Sequence, residues 1–445
     1  MFRTRPNAVA VLLAAYALLV VSVLAITPLW LDELQQAAPA HAGIADLLRW
    51  VQMNPGAVPL PYLMQRALAG LLGNSAFVLR LPAALCGIAS GAVFAALCPR
   101  FGIRSTFWAT ALFLALPLQF RYVLEARGYS LGLLCSLLSV WLLLRARETG
   151  KPGATAAYGA SIALGLYSQP LTILPVLAGL CWLIGERDAI PEAKRRILGA
   201  AVAGVLAFLP WYLLQRQTQE QFASMAYYFF SGRQVTLLGI LHDLSGGGYA
   251  CTAVLLLAAV LGLLPAAKLQ NRRLAVWIAI AALAGPIVID RLVNYFFAAR
   301  QLLFAAPALI WCAAAGVGSM RAWRNYAVLA LFLGLAAISD YRLATMPKDA
   351  FGAQAGVLAA PLPPGACLAV APPNQAVYYT FLRPELERKI CAEPPDAPAV
   401  LAVMSPYSTT ADRVQLAEML EPNYQPADSL RAAPGEIRLY RRRIH

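Results

Sequence analysis

Two adjacent carboxylates, Asp32 and Glu33, lie in TPLWLDELQQ (27–36), directly after the first long apolar run of the chain. A second group of charges, Arg121, Glu125 and Arg127, falls in LQFRYVLEARGYSLGLL (118–134), again between apolar segments and with Phe120, Tyr122 and Tyr129 around it. An aspartate ionised at ambient pH can accept the proton of an attacking hydroxyl. A guanidinium can hold phosphate oxygens through two parallel hydrogen bonds. Each residue also has a plainer reading. Asp32 can cap a following helix, with Glu33 in its first turn. Arg127 can snorkel to lipid headgroups. From residue types alone the capping reading of Asp32 comes first.

The elements that must position these groups are set by composition. Of 445 residues, 60% are hydrophobic and 13% charged, against about 25% charged in soluble proteins. The mean hydropathy is +0.62. This is the composition of a polytopic helical membrane protein. Windows of about 17–25 apolar residues fall near 7–26, 79–98, 105–120, 129–145, 154–168, 170–185, 197–214, 251–267, 274–290, 302–319 and 326–340, which predicts eleven spans. The net charge of +14 sits mainly in short gaps between these runs. Every second gap is basic, which is the positive-inside pattern and not a nucleic-acid patch. It predicts a cytoplasmic N-terminus and an exported tail. The first run is about twenty residues, longer than the roughly 7–15 of a signal-peptide core, so it reads as a retained span.

Eleven Asp and Glu residues precede position 300, and none lies in the middle of a predicted span. Ion-coupled transporters and pumps carry ionisable groups near the bilayer midplane. Here seven of the eleven (Asp32, Glu33, Asp46, Glu125, Glu220, Asp243 and Asp290) fall at the expected outer side. That placement favours an enzyme at the outer surface over a conduit, and a transporter or flippase without catalysis is the alternative.

The first outer loop, 27–78, contains two stretches with helical apolar spacing, expected to lie in the interface. MAYYFFSGRQ (225–234) is expected to add an interfacial helix, a candidate lid. SGGGY (245–249) lacks the strand and Gly-Lys-Ser/Thr of a phosphate-binding loop and reads as a turn. The chain divides by composition into a membrane domain, 1–340, and a small exported α/β domain, 341–445. In the tail, GACLAVAP, AVLAVMS and GEIRLYRRR read as strands and TTADRVQLAEML as a helix. Cys367 and Cys391 are the only cysteines of that tail, and an oxidising compartment predicts their disulfide. The three histidines, His41, His242 and His445, are far apart in sequence, and no metal-ligand spacing is visible. Metal independence is expected, with a divalent cation at Asp32, Glu33 and Glu125 left open.

LWLDE after the first span, GNSAFVLRLPAAL (73–85), YVLEARGYSLGLL (122–134) and ARQLLFAAPALI (299–310) occur in this order. The set resembles the GT-C superfamily of glycosyltransferases, in particular family 39 and its relatives among the protein O-mannosyltransferases and lipid A aminoarabinose transferases. The resemblance covers roughly residues 1–340. The chain departs from the family's pattern at Asn54 and at Pro59-Leu60-Pro61-Tyr62, and has Gln169 where many members have histidine. The resemblance implies a sugar donor on a polyprenyl phosphate and an exported lipid, glycan or protein acceptor. It implies that Asp32 is catalytic, with Glu33 beside it. Within that frame Arg127, Arg300 and Arg80 are candidates for the donor phosphate. Glu125, Tyr62, Tyr122 and Tyr129 are candidates for orienting substrate, although any single tyrosine reads first as part of the interfacial aromatic belt. A bacterial inner-membrane location follows, with the tail in the periplasm.

Overall fold

A computed structural model describes residues 6–54, 56–187, 190–230, 236–293, 298–391, 396–431 and 436–443. In chain order the helices are α1 (Pro6–Val23), α2 (Leu31–Ala37), α3 (Ile44–Met53), α4 (Pro59–Leu72), α5 (Ala76–Leu97), α6 (Thr106–Leu114), α7 (Pro117–Val123), α8 (Tyr129–Thr149), α9 (Pro152–Ser168) and α10 (Ile173–Gly185). They continue as α11 (Pro191–Phe230), α12 (Leu237–Asp243), α13 (Gly248–Gly262), α14 (Arg272–Val293), α15 (Ala306–Ser319), α16 (Ala322–Thr345), α17 (Phe351–Leu358), α18 (Ala376–Leu382) and α19 (Thr410–Leu420). The chain divides into two compact units, one of residues 1–24 and 42–344, the other of residues 25–41 and 345–445. The first loop is thus shared: residues 25–41, with α2, cluster with the tail.

Among the described residues the regular structure of the first unit is helical. Each of the eleven apolar runs falls on helical structure, but eleven crossings are more than the helices establish. Among the described residues six helices are long and apolar enough to cross a membrane, and a seventh if α12 and α13, bent by 84°, count as one span. The 105–120 run is broken because Pro117 starts a new helix, α7, after the turn at Ala115 and Leu116. A fixed proline φ suits a first helical position, and the missing N–H ends the ladder before it. The runs at 7–26 and 170–185 form shorter apolar helices.

A stack of buried aromatic rings packs within this unit. Phe94 stacks on Phe113 at 4.3 Å and on Trp311 at 5.5 Å, and Phe101 stacks on Trp311 at 3.9 Å. Small residues set the closest helix pair. A methyl added to Gly316 of α15 would stand 2.1 Å from the Ala258 carbonyl of α13, and one added to Gly262 would stand 1.8 Å from the Cys312 carbonyl. Backbones approach this closely in membrane helices where glycine removes the side chain. Gly316→Val is therefore expected to destabilise the unit by more than the roughly 1–3 kcal/mol of ordinary overpacking, because backbone has to move. A thermal unfolding scan of the detergent-extracted protein checks this, with Gly334→Val, at a site with open space around it, as the neutral control.

The second unit holds a four-stranded sheet in the order β1-β2-β4-β3, with β1 (Cys367–Ala371), β2 (Ala399–Met404), β3 (Tyr424–Arg431) and β4 (Glu436–Arg442). β1 and β2 are parallel, and β4 runs antiparallel to both of its neighbours. β1 and β2 are apolar runs buried along nearly their whole length. α19 packs Leu416 and Leu420 onto the sheet core with Ala369, Val400, Ala402 and Tyr440. Thr409 caps α19 by accepting the Asp412 N–H at 3.2 Å, and Asp412 accepts back from the Thr409 N–H at 2.7 Å. This reciprocal capping supplies two of the helix's missing partners.

Cys367 and Cys391 are joined in a disulfide, with their Cα atoms 5.0 Å apart. The Cys391 N–H also donates to the Leu368 carbonyl at 2.9 Å, so the segment lies along β1. For a loop of this length the bridge contributes about 3 kcal/mol in the chain-entropy picture. Non-reducing mass spectrometry of the extracted protein is expected to find the two peptides linked. Free thiols at both positions, labelled without reductant after unfolding, would contradict the bridge and weaken the expectation of an exported tail.

Candidate active site

In the first unit the charged residues predicted from the sequence come together at the junction of α7 and α8. α7 ends at Val123, and residues 124–128 turn the chain before α8 starts at Tyr129. The turn is held locally: the Arg127 N–H donates to the Glu125 carbonyl at 2.7 Å, and the Ser130 hydroxyl donates to the Tyr122 carbonyl at 2.7 Å. Glu125 is fully buried and accepts from Arg121 Nε at 3.0 Å. A carboxylate taken out of water needs such a partner, so Glu125 has a structural task within its own turn.

The rings of Tyr122 and Tyr129 meet edge to face at 4.9 Å. The Arg127 guanidinium stands 5.9 Å from the centre of the Tyr129 ring, and that of Arg300 stands 5.8 Å from the same centre. Arg121 lies 5.6 Å from the Tyr122 ring. Arg300 arrives on the 3₁₀ segment Ala299–Ala305, whose residues pack against α7 and α8 before α15 begins. Two guanidiniums, 173 positions apart in sequence, thus face one tyrosine. Cations gather over such rings because the π face is electronegative. The arrangement brings two planar donor forks to one region, which suits a phosphate.

Arg80 and Tyr62 make other contacts. Arg80 is buried near the start of α5 and donates to the Leu24 carbonyl at 2.9 Å. Tyr62 packs in a separate apolar group with Leu47, Val51, Val58 and Trp211. α4 still reaches the arginine turn: Gln65 Nε2 donates to the Ala126 carbonyl at 3.3 Å and to the Leu79 carbonyl at 3.0 Å. Gln65 is a residue the sequence reading passed over, since a lone glutamine in an amphipathic helix carries no local signal. SGGGY packs against the start of α7. The Ser245 carbonyl accepts the Leu118 N–H at 2.8 Å, and Gly246 takes a φ of +73° that other residues avoid. Of MAYYFFSGRQ, residues 225–230 end α11, and residues 231–234 lie outside the described residues, as does any lid built on them.

Asp32 and Glu33 belong to the second unit, and the structure separates their tasks. Trp30 is the residue before α2, so Asp32 and Glu33 are the second and third residues of the helix. Glu33 is fully buried, and its Oε2 accepts the Trp30 N–H at 3.3 Å. This is the backward half of a capping box; an indole offers no acceptor for the forward half. Asp32 is not the capping residue and stays partly exposed. The Leu31 N–H is taken by Asp349 Oδ2 at 2.8 Å. Burial raises the Asp349 pKa, and the nearby Glu33 charge adds to this; the N–H groups of Leu31 and Phe351 and the Tyr407 hydroxyl oppose it. Lys348 stands 5.1 Å from the Trp30 ring. Asp349 and Tyr407 had no signal in the sequence: Asp349 is 318 positions from Leu31, and Tyr407 lies in a different segment of the tail from Asp349. Among the described residues no group of three or more His, Cys, Asp or Glu could hold a metal ion.

Residues 54–214 match the family model described as dolichyl-phosphate-mannose-protein mannosyltransferase. The fold matches ArnT from Cupriavidus metallidurans bound to undecaprenyl phosphate, with a TM-score of 0.64 at 15% identity over 98% of each chain. The apo state of ArnT from the same organism matches at 0.61 and 15% over 97% of each chain. The arabinofuranosyltransferase AftD from Mycobacteria matches at 0.53 and 16%, over 98% of this chain and 40% of that one. No curated protein matches the chain significantly. At such identities the structural likeness is one of fold. The chain is a multi-pass membrane protein that resembles the GT-C glycosyltransferases, in fold along nearly its whole length and in sequence over residues 54–214.

Proposed function

We propose that the protein transfers a sugar from a polyprenyl-phosphate donor to a hydroxyl of an exported lipid, glycan or protein, at the outer face of a bacterial inner membrane. The observation that carries this reading is the meeting of Arg127 and Arg300 on the ring of Tyr129. The solved relative ArnT with bound undecaprenyl phosphate supports the donor class. In the proposed reaction Asp32 takes the proton of the acceptor hydroxyl. The acceptor oxygen forms a bond to the anomeric carbon as the bond from that carbon to the phosphate oxygen breaks. Polyprenyl phosphate leaves with its charge held by Arg127 and Arg300. A single displacement inverts the anomeric configuration. Glu125 holds Arg121 and so stiffens the turn that carries Arg127.

The test is a donor survey. Purified protein is incubated with lipid-linked sugars from a bacterial extract, and released polyprenyl phosphate is measured with the glycosylated product. Release of polyprenyl phosphate together with a sugar-modified acceptor supports the transferase. Movement of intact donor across a vesicle membrane, with no release, would establish the flippase alternative instead.

A further inference from the structure

Asp32 is carried by α2, a helix of only seven residues. A helix of two turns is unstable on its own in water, so its place in the second unit depends on what grips it. Residues 349–352 do so in two ways. Asp349 Oδ2 accepts the Leu31 N–H at 2.8 Å, while its Oδ1 accepts the Phe351 N–H at 3.1 Å. One carboxylate therefore ties the start of α2 to the start of α17. Gly352 lets Pro28 approach: a methyl on Gly352 would stand 2.5 Å from Pro28 Cβ. The Tyr407 side chain lies near the same Asp349 carboxylate, close enough for each to influence the other electrostatically. Burial, then the charges of Asp349 and Asp32, push the Tyr407 pKa up to about 12, so this hydroxyl remains a donor at neutral pH. On the other flank Glu33 holds the Trp30 N–H. Asp32 stands between Leu31 and Glu33, the two residues through which the turn is held.

We propose that Asp349 is a positioning residue for Asp32: its carboxylate, oriented by Tyr407, fixes the first turn of α2 and so the direction of the Asp32 side chain. The proposal rests on the assignment of Asp32 as the base. It gives the tail, through residues 349 and 407, a share in the transfer reaction.

The experiment compares Asp349→Ala, Asp349→Asn and Tyr407→Phe in the full-length protein, alone and combined with Asp32→Asn, by kcat and donor KM. Asp349→Ala is expected to lower kcat by up to about 10²-fold, the loss that a small misplacement of a reacting group produces. Donor KM is expected to stay within about two-fold, since binding is not the affected step. Asp349→Asn keeps one carbonyl acceptor for Leu31 and is expected to recover part of kcat. Tyr407→Phe is expected to lose less than Asp349→Ala. On the Asp32→Asn background Asp349→Ala adds nothing, because both act through one group. Wild-type kcat in Asp349→Ala, or a full additional loss on the Asp32→Asn background, overturns the positioning role and leaves the base assignment standing. Wild-type turnover in Asp32→Asn overturns the base assignment and this inference with it. Should Asp349→Ala fail to fold, Tyr407→Phe decides, and an unchanged kcat there overturns the proposal.

Discussion

Asp32→Asn is expected to lose at least about 10²-fold of sugar-transfer turnover, the smallest effect general-base catalysis ordinarily has, while expressing and unfolding as the wild type does. Asparagine matches aspartate in size but cannot accept the proton of the acceptor hydroxyl. The structural cost is small because the caps of α2 come from elsewhere. Glu33 takes the Trp30 N–H and Asp349 takes the Leu31 N–H. Asp32→Asn also removes a charge from the first helical turn, a contribution of about 0.3–1 kcal/mol. Glu33→Gln shows the opposite profile. It weakens a buried cap, and so is expected to lower the unfolding midpoint more and the turnover less. Turnover of purified variants, read as polyprenyl phosphate released, checks both. An Asp32→Asn protein that keeps more than about a tenth of wild-type turnover, well above the general-base expectation, removes Asp32 from the base role.

The second large effect is expected at the arginine pair. Arg127→Ala and Arg300→Ala should each lower turnover of the lipid-linked donor by about 10²–10³-fold, the loss seen when one oriented donor to a developing negative charge is removed. Both guanidiniums approach the Tyr129 ring, at 5.9 and 5.8 Å. Two groups that act on one phosphate are coupled, so under the proposed role the double variant is expected to lose less than the product of the two single losses. Arg127→Lys should recover activity only in part, because an ammonium is a point charge without the planar fork. Arg80→Ala is the contrast. Its guanidinium is buried against the Leu24 carbonyl, so the expected loss is in stability first. Full activity in Arg127→Ala would remove that residue from the donor site, and full recovery in Arg127→Lys would reduce its role to bare charge.

Much of the helical and strand structure is a local property and is legible in the sequence. Apolar runs of membrane-core length mark the helices of the first unit. Pro117 marks the break between α6 and α7. CLAVA and AVLAVM are continuous apolar runs and became the adjacent buried strands β1 and β2. TADRVQLAEML, with its Thr409 cap, became α19. The adjacency of Asp32 and Glu33 and the Arg121–Glu125–Arg127 spacing are equally local. β3 was missed because YQPADSLR has neither an apolar run nor a clean alternation, and its pairing with β4 is a matter of register that no single segment carries. Eleven apolar runs do not by themselves establish eleven crossings, because hydropathy registers an apolar run whether or not the helix in it is unbroken.

The tertiary structure alone decided which charges share a place and what each of them contacts. Sequence spacing could not bring Arg300 to the ring that Arg127 already faces. It could not separate Glu33, buried against the Trp30 N–H, from its partly exposed neighbour Asp32. Nor could it show that Asp349, 318 positions away, holds the Leu31 N–H. The reason is physical. Apolar periodicity and capping reflect interactions within a few residues along the chain. The burial of a carboxylate, or the meeting of two guanidiniums, depends on contacts that exist only once distant segments have packed.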